Sequence, residues 1–355
     1  MNLGTPVPLV VRRSIQIVLA LFGSGLVAAG AVVIWLALPG APANTADMRF
    51  VGFIALPKGG GGLLSIMDYL TVDGRTLWAT SESTGAVYRI PLGAGPLLTG
   101  VTMFPGDGEA HGVARDPESK VAFVTRSASD HVDAFDAASG AILEHIHVAP
   151  DADGMIFDPA DRLLYVVNGD PNLATLIDPT TRAKVGTIAL GGKPEFAVFD
   201  PRTGLIYQNL ADVGVVAVVD VAHRAVVDRW PLKPCAGPTG AALDVANRRL
   251  FVVCGDARLV VLDLASHKVV ASLPIGGGPD SVAYDAGLRR LYATGKSGVL
   301  SVIRQDSPDR YRTLSAINLH YGAHTLAVDP VTHRVYVAYA SLITAPRLAV
   351  FDPAE

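Results

Sequence analysis

The sequence predicts an all-β fold, a seven-bladed β-propeller of four-stranded blades preceded by one transmembrane helix. Three observations lead there. An aspartate recurs at Asp73, Asp116, Asp158, Asp200, Asp244, Asp285 and Asp329, at intervals of 43, 42, 42, 44, 41 and 44 residues. A period of that size, repeated seven times, marks a propeller built from repeated sheets. Each aspartate stands between two short apolar runs, too short for helices and long enough for buried strands. The segment ahead of the first unit carries the strand pattern that the last unit lacks.

The elements follow in order within each unit. The run before the aspartate, as in Met155-Ile156-Phe157, Phe196 to Phe199 and Ser281 to Tyr284, is the innermost strand. Asp-Pro with a few polar residues then makes a tight turn, because proline presets its backbone and the aspartate accepts local N–H groups. The repeated aspartate is therefore read as structural. A second strand follows, such as Leu164 to Val167, Leu250 to Val253 or Val335 to Val337, and a third ends on another aspartate at Asp178, Asp220 and Asp263. A more polar fourth strand, such as Lys184 to Ile188 or Val269 to Leu273, forms the outer edge.

The seventh unit stops after its third strand, Leu348 to Asp352, whereas Arg49 to Pro57 matches the fourth-strand pattern. These two ends are expected to pair and close the ring without an exposed edge. An open eight-unit solenoid is the alternative. The domain boundaries are 1–45 for a cytoplasmic stub, transmembrane signal anchor and linker, and 46–355 for the propeller. The 36 glycines and 24 prolines suit many strands joined by tight turns, and helix is expected to be nearly absent after residue 45.

From Ile17 to Leu38 the chain has 22 residues of which only Ser24 is polar, enough to cross a hydrocarbon core of about 30 Å. Arg12 and Arg13 precede the run, and no Lys or Arg follows it until Arg49. That asymmetry predicts a cytoplasmic N-terminus and a propeller on the periplasmic side of a bacterial inner membrane. The alternative is a removable signal cleaved after Ala43, releasing a periplasmic protein. Export makes a Cys235–Cys254 disulfide reasonable, since both residues fall on loops of one face of the fifth blade. Two unpaired thiols are the other reading.

Five residues before each aspartate, the chain enters the innermost strand at the mouth of the central channel. Those positions are Asp68, His111, Asp153, Glu195, Thr239, Asp280 and His324, all polar. They are the candidate ligand-binding ring. His324, Asp68, His111, Asp153 and Glu195 come from five consecutive blades and suit a divalent metal ion, and His111 and His324 are the candidate catalytic acid or base. A water-filled channel with no ligand accounts for the same residues. Glu82, Arg126, His131, Asn168, Asp170 and Asn209 are expected to rim the funnel, with Arg126 as a cation beside the carboxylates. No cofactor is certain. With 29 basic and 33 acidic residues, a nucleic-acid partner has no electrostatic support.

The run Leu164-Tyr165-Val166-Val167-Asn168, followed by a turn and Ile177-Asp178-Pro179, resembles the YVTN repeat of the YncE-like seven-bladed propellers. The resemblance spans about residues 48 to 355, although the full Tyr-Val-x-Asn element occurs only in the third unit. It implies the fold and an exported location. Related propellers include metal-dependent lactonases and the streptogramin lyase, so it does not select one activity. Two functions follow: a membrane-tethered scaffold binding a small molecule or protein through the channel mouth, and a metal-dependent lactonase or lyase-type enzyme.

Overall fold

The structure is a computed structural model that describes residues 41–59, 64–93, 95, 99–320, 322–339, 341–342 and 345–354. The expected membrane segment lies outside these residues. Among the described residues, no helix is long and apolar enough to cross a membrane.

Seven four-stranded antiparallel sheets follow one another along the chain. Their innermost strands are Met67–Asp73, Ala110–Arg115, Ala152–Asp158, Pro194–Asp200, Pro238–Asp244, Pro279–Asp285 and Thr325–Val328. The seventh sheet takes its outer strand from the other end of the chain. Met48–Ala55 pairs antiparallel with Arg347–Pro353, in a register running from Met48 opposite Pro353 to Ala55 opposite Arg347. Closure is thus by the N-terminal strand. It is sealed by apolar packing of Met48, Phe50 and Phe53 against Tyr339 and Phe351. Arg290 of blade six donates to the carbonyls of Asp47 and Ala354, tying both ends to the neighbouring sheet. The one helical element among the described residues is a 3₁₀ turn at Ser127–Ser129.

Each second strand places an aromatic side chain between neighbouring blades: Trp78, Phe123, Tyr165, Tyr207, Phe251, Tyr292 and Tyr336 are all buried. Rings of that size supply much of the apolar area that holds one sheet to the next. In blade five, the loop before the innermost strand is joined to the end of the second by a Cys235–Cys254 disulfide, with Cα atoms 5.4 Å apart.

The seven aspartates do two jobs. First, in all but Asp73 the carboxylate accepts a backbone N–H group two or three residues on, for example Glu118 at 3.0 Å from Asp116 and Ala160 at 2.9 Å from Asp158. Second, five of them reach the next blade. Asp73 meets Arg115, Asp116 meets Arg162 and Asp200 meets Arg248, each at 2.5 Å. Asp244 accepts from Gln305 at 2.9 Å, and Asp285 lies 2.9 Å from His333. Arg162, Arg248 and His333 each stand four residues after their own aspartate, in the left-handed region with φ of 55°, 57° and 63°. In blade four that position is Gly204, with φ 72° and no side chain to offer. The carboxylate it would serve is that of Asp158, which is fully buried and has one oxygen without a hydrogen-bond partner.

Two predictions follow from this frame. Met48→Ala is expected to cost about 2–5 kcal/mol, and denaturant unfolding followed by far-UV circular dichroism checks it. A loss below ~1 kcal/mol would show that the closing strand is dispensable. Burial pushes the Asp158 carboxyl above its usual range, outweighing the backbone N–H groups it accepts. A raised carboxyl stabilises the fold only at low pH, and that contribution is lost as pH rises towards neutral. Gly204→Arg, which supplies the missing guanidinium, is expected to raise stability at pH 7 relative to pH 4 by about 1 kcal/mol. An identical pH dependence in the two proteins would dismiss the latch.

Candidate site at the channel mouth

The innermost strands do not run straight into the ladder. In six blades the pairing with the second strand skips a residue or two at its start: between Met67 and Leu70, Ala110 and Val113, Ala152 and Met155, Pro194 and Ala197, Pro238 and Ala241, and Pro279 and Ser281. The skipped residues are bulges, and a bulge re-aims the side chains it carries. The first bulged residue in each case is Asp68, His111, Asp153, Glu195, Thr239 or Asp280. The ring expected from the sequence therefore coincides with a local backbone device.

The second bulged residue faces the next blade or the channel. Glycine occupies it where blades touch: a Cβ on Gly112 would lie 2.5 Å from the amide nitrogen of Met155, and one on Gly240 would lie 2.5 Å from the carbonyl oxygen of Asp280. In blades one and four it is Tyr69 and Phe196. Their rings are stacked with centroids 5.9 Å apart and planes 12° from parallel. Blades one and four are not neighbours, so this contact crosses the channel next to the ring of polar residues.

The charges of the ring sort into two groups. In the first, His111 Nδ1 lies 2.5 Å from Asp68 Oδ2 and 3.6 Å from Asp153 Oδ1, while Nε2 lies 2.8 Å from Ser127 Oγ. Ser127 in turn donates to Glu109 at 2.7 Å. In the second, His324 Nδ1 lies 2.7 Å from Asp280 Oδ2. His324, with exposed Lys296 behind it, overcomes burial and lowers the pKa of Asp280, and Lys193 lies 3.9 Å from Glu195. His324 therefore pairs with blade six and is not part of one five-blade constellation.

Burial works against the charge on His111. Asp68, by charge and hydrogen bond, with Asp153 and Glu82, outweighs it and holds the imidazolium up to about pH 10. Burial pushes Asp153 up to about 7 despite His111, helped by Asp68 and Glu195. Glu82, Asp151 and Glu195 are also raised, first by burial. The phenol of Tyr69 is raised by burial and by Asp153, Asp68, Glu195 and Asp280, so carboxylates of four blades converge on it. Asp68, His111 and Ser127 stand in the hydrogen-bond order of a serine nucleophile. Here Ser127 donates to Glu109, and Asp68 holds the imidazole protonated, so His111 faces Ser127 as a donor.

Other sequence candidates are held elsewhere. Thr239 donates to the carbonyl oxygen of Pro279 at 3.1 Å and stitches blade five to blade six. Asn168 is buried, donating to Ala149 and accepting from Thr175. Asn209 donates to the backbone of Thr239 at 2.6 Å. Arg126 does not join the ring. It is buried, with Nε 2.8 Å from Asp133 Oδ2 and Nη1 on the carbonyl oxygen of Gly85, because its side chain leaves the strand on the face towards blade one. His131 lies with it, 2.9 Å from Asp133. The sequence reading missed Tyr69, Phe196, Glu109, Ser127 and Lys296. Stepping back four residues from Asp73 and Asp200 would have found the two aromatics.

Fold and site together define a seven-bladed propeller with an acidic channel mouth beside a stacked aromatic pair. The chain is similar in structure to Kuenenia stuttgartiensis hydrazine synthase, with a TM-score of 0.69 over 84% of this chain and 96% of that one, at 17% identity. That likeness carries the fold alone. No protein-family model and no curated protein matches the sequence.

Because His111 holds its proton above the ~6.5 of a free imidazole, its pairing stabilises the fold fully below that pH and is lost as pH rises through about 10. Asp68→Asn is expected to bring the His111 titration midpoint down, as read by histidine ¹⁵N NMR. An unmoved midpoint would remove Asp68 as the cause.

Proposed function

We propose that the protein is an exported, membrane-tethered propeller of the YVTN-repeat, YncE-like kind, acting as a binding scaffold for a small organic cation at the channel mouth. The observation that carries this reading is convergence. Asp68, Glu82, Glu109, Asp151, Asp153, Glu195 and Asp280 share one electrostatic neighbourhood with only His111, His324, Lys193 and Lys296 to oppose them. Next to them lie the Tyr69 and Phe196 rings, and an ammonium over an aromatic face gains about 0.5–2 kcal/mol. The disulfide fits an oxidising compartment.

A metal-dependent lactonase or lyase-type activity is the second reading, favoured by the Asp68, His111 and Asp153 ligand atoms lying within 4.8 Å of one another. These residues would hold a divalent metal, which would supply Lewis-acid polarisation of a carbonyl. That metal must displace the proton that Asp68 and Asp153 hold on His111. The cationic ligand needs no such exchange.

Calorimetry with spermidine, a quaternary ammonium and matched carboxylates separates these readings. Ammonium compounds are expected to bind, and Glu195→Gln is expected to weaken them about tenfold, an effect of ~1.4 kcal/mol. Equal binding of carboxylates and ammonium compounds would overturn the scaffold reading. A stoichiometric metal that His111→Ala removes would favour the enzyme.

A further inference from the structure

We propose a second, separate site: a transition-metal site on the outer half of blade two, formed by His131 Nε2, Asp133 Oδ1 and His145 Nδ1. These three atoms lie within 4.8 Å of one another. The strand His131–Asp136 carries His131 and Asp133 on one face, because residues two apart point the same way. The outer strand Ile142–His147 runs antiparallel beside it, with His145 opposite Asp133 and His147 opposite His131. Directly opposed residues share a face, so three imidazoles and one carboxylate project from one side of a two-stranded ribbon. On the other side, Val132 and Ile146 are buried in the core shared with blade three.

The hydrogen bonds around the cluster select the atoms. His131 Nδ1 lies 3.3 Å from the carbonyl oxygen of Ser129, which can only accept, so this nitrogen carries the hydrogen. Nε2 then presents a lone pair. It is buried, has no hydrogen-bond partner, and sits 2.9 Å from Asp133 Oδ1, another acceptor. A lone pair and a carboxylate oxygen at that distance repel unless a proton or a metal ion stands between them, and the three ligand atoms gathered here suit the metal. Asp133 Oδ1 is also 2.6 Å from His145 Nδ1.

The arrangement around these atoms is the one metal sites use to orient their ligands: a histidine fixed through its far N–H by a carbonyl, and a carboxylate fixed through its other oxygen. Arg126 provides the second of these, its Nε holding Asp133 Oδ2 at 2.8 Å and leaving Oδ1 for the cluster. Bonds of about 2.0–2.2 Å in a tetrahedral site separate ligand atoms by roughly 3.3 Å, so an opening of about half an ångström at Asp133 admits the ion. Imidazole with one carboxylate suits zinc, copper or nickel and does not suit calcium or magnesium. Access is from solvent, since the His145 side chain is 63% exposed while Asp133 is 3% exposed. His147, exposed and opposite His131, lies on the same face but outside the group of three, which leaves the fourth position to solvent.

The test uses the purified full chain in detergent, stripped with chelator and dialysed against Zn²⁺. The wild type is expected to retain a zinc equivalent that His145→Ala and His131→Ala each weaken at least tenfold, as loss even of an outer partner does. His111→Ala is expected to keep it, which separates this site from the channel mouth. His145 is exposed and makes few packing contacts, so its variant is expected to keep the wild-type melting temperature. Cu²⁺ bound to the wild type is expected to show electron-paramagnetic splittings from at least two imidazole nitrogens. A wild type that retains no zinc overturns the proposal, as does a zinc content and affinity unchanged in His145→Ala.

Discussion

The structure turns on a carboxylate at the inner hairpin of each blade, buried in all but the first. A carboxylate excluded from water must be hydrogen-bonded or charge-paired, and here both demands are met at once. In four blades the carboxylate both organises the turn and reaches a side chain of the next sheet. The turn therefore cannot form well without its neighbour, which couples local hairpin geometry to the angle between blades. Asp200 shows the balance: burial opposes its charge, and the hydrogen bonds from Arg248, Arg202, Thr203 and Tyr207 overcome it and lower its pKa. Asp158 shows the same turn with the interblade half missing, and there burial prevails.

The sequence made the repeat, the blade count and the closing strand legible, because each rests on period and pattern alone. The ring of polar residues was legible as positions. Its chemistry was not, because side-chain direction near a bulge does not follow simple alternation. Asp68 and His111 come together because two bulges in adjacent blades turn them towards each other, a juxtaposition with no trace in spacing. Arg126 shows the opposite failure. It falls in a rim loop by position, but it is the last residue of a strand whose pleat sends it between blades, towards blade one. The pairing of Asp116 with Arg162 was hidden for another reason: the two belong to different units, and a repeat read one unit at a time does not show contacts across its boundary.

The mouth has more carboxylates than its cations can neutralise, and the folded chain meets that excess in three ways. It pairs some groups directly, as with Asp68 and His111 or Asp280 and His324. It retains protons where pairing fails, so that Asp153 rises to about 7 under burial and the fields of Asp68 and Glu195. It leaves Glu195 and Asp151 near solvent-facing lysines. Each of these is an incomplete answer to buried negative charge. A ligand that brings its own positive charge replaces all three, which is why the electrostatics favour a cation over an anion here.

Adjacent residues of one hairpin divide the two sites of this protein between them. Ser127 hydrogen-bonds His111 at the channel mouth, while Arg126 lies between blades and holds Asp133. The division falls where the strand ends, Arg126 being its last residue and Ser127 the first of the 3₁₀ turn. Blade two departs from its siblings in what lies beyond: its third and fourth strands carry His131, Asp133, His145 and His147 where blade three has Leu173, Thr175, Thr187 and Ala189 at the matching register positions. Thr175 is there satisfied by Asn168, a neutral pair closed within the blade. In blade two the same two places are Asp133 and Arg126, a charged pair whose free oxygen faces two imidazoles. The repeat thus supplies a framework in which the polar pair is structural in one blade and, by exchange of a few side chains, becomes a set of metal ligands in another.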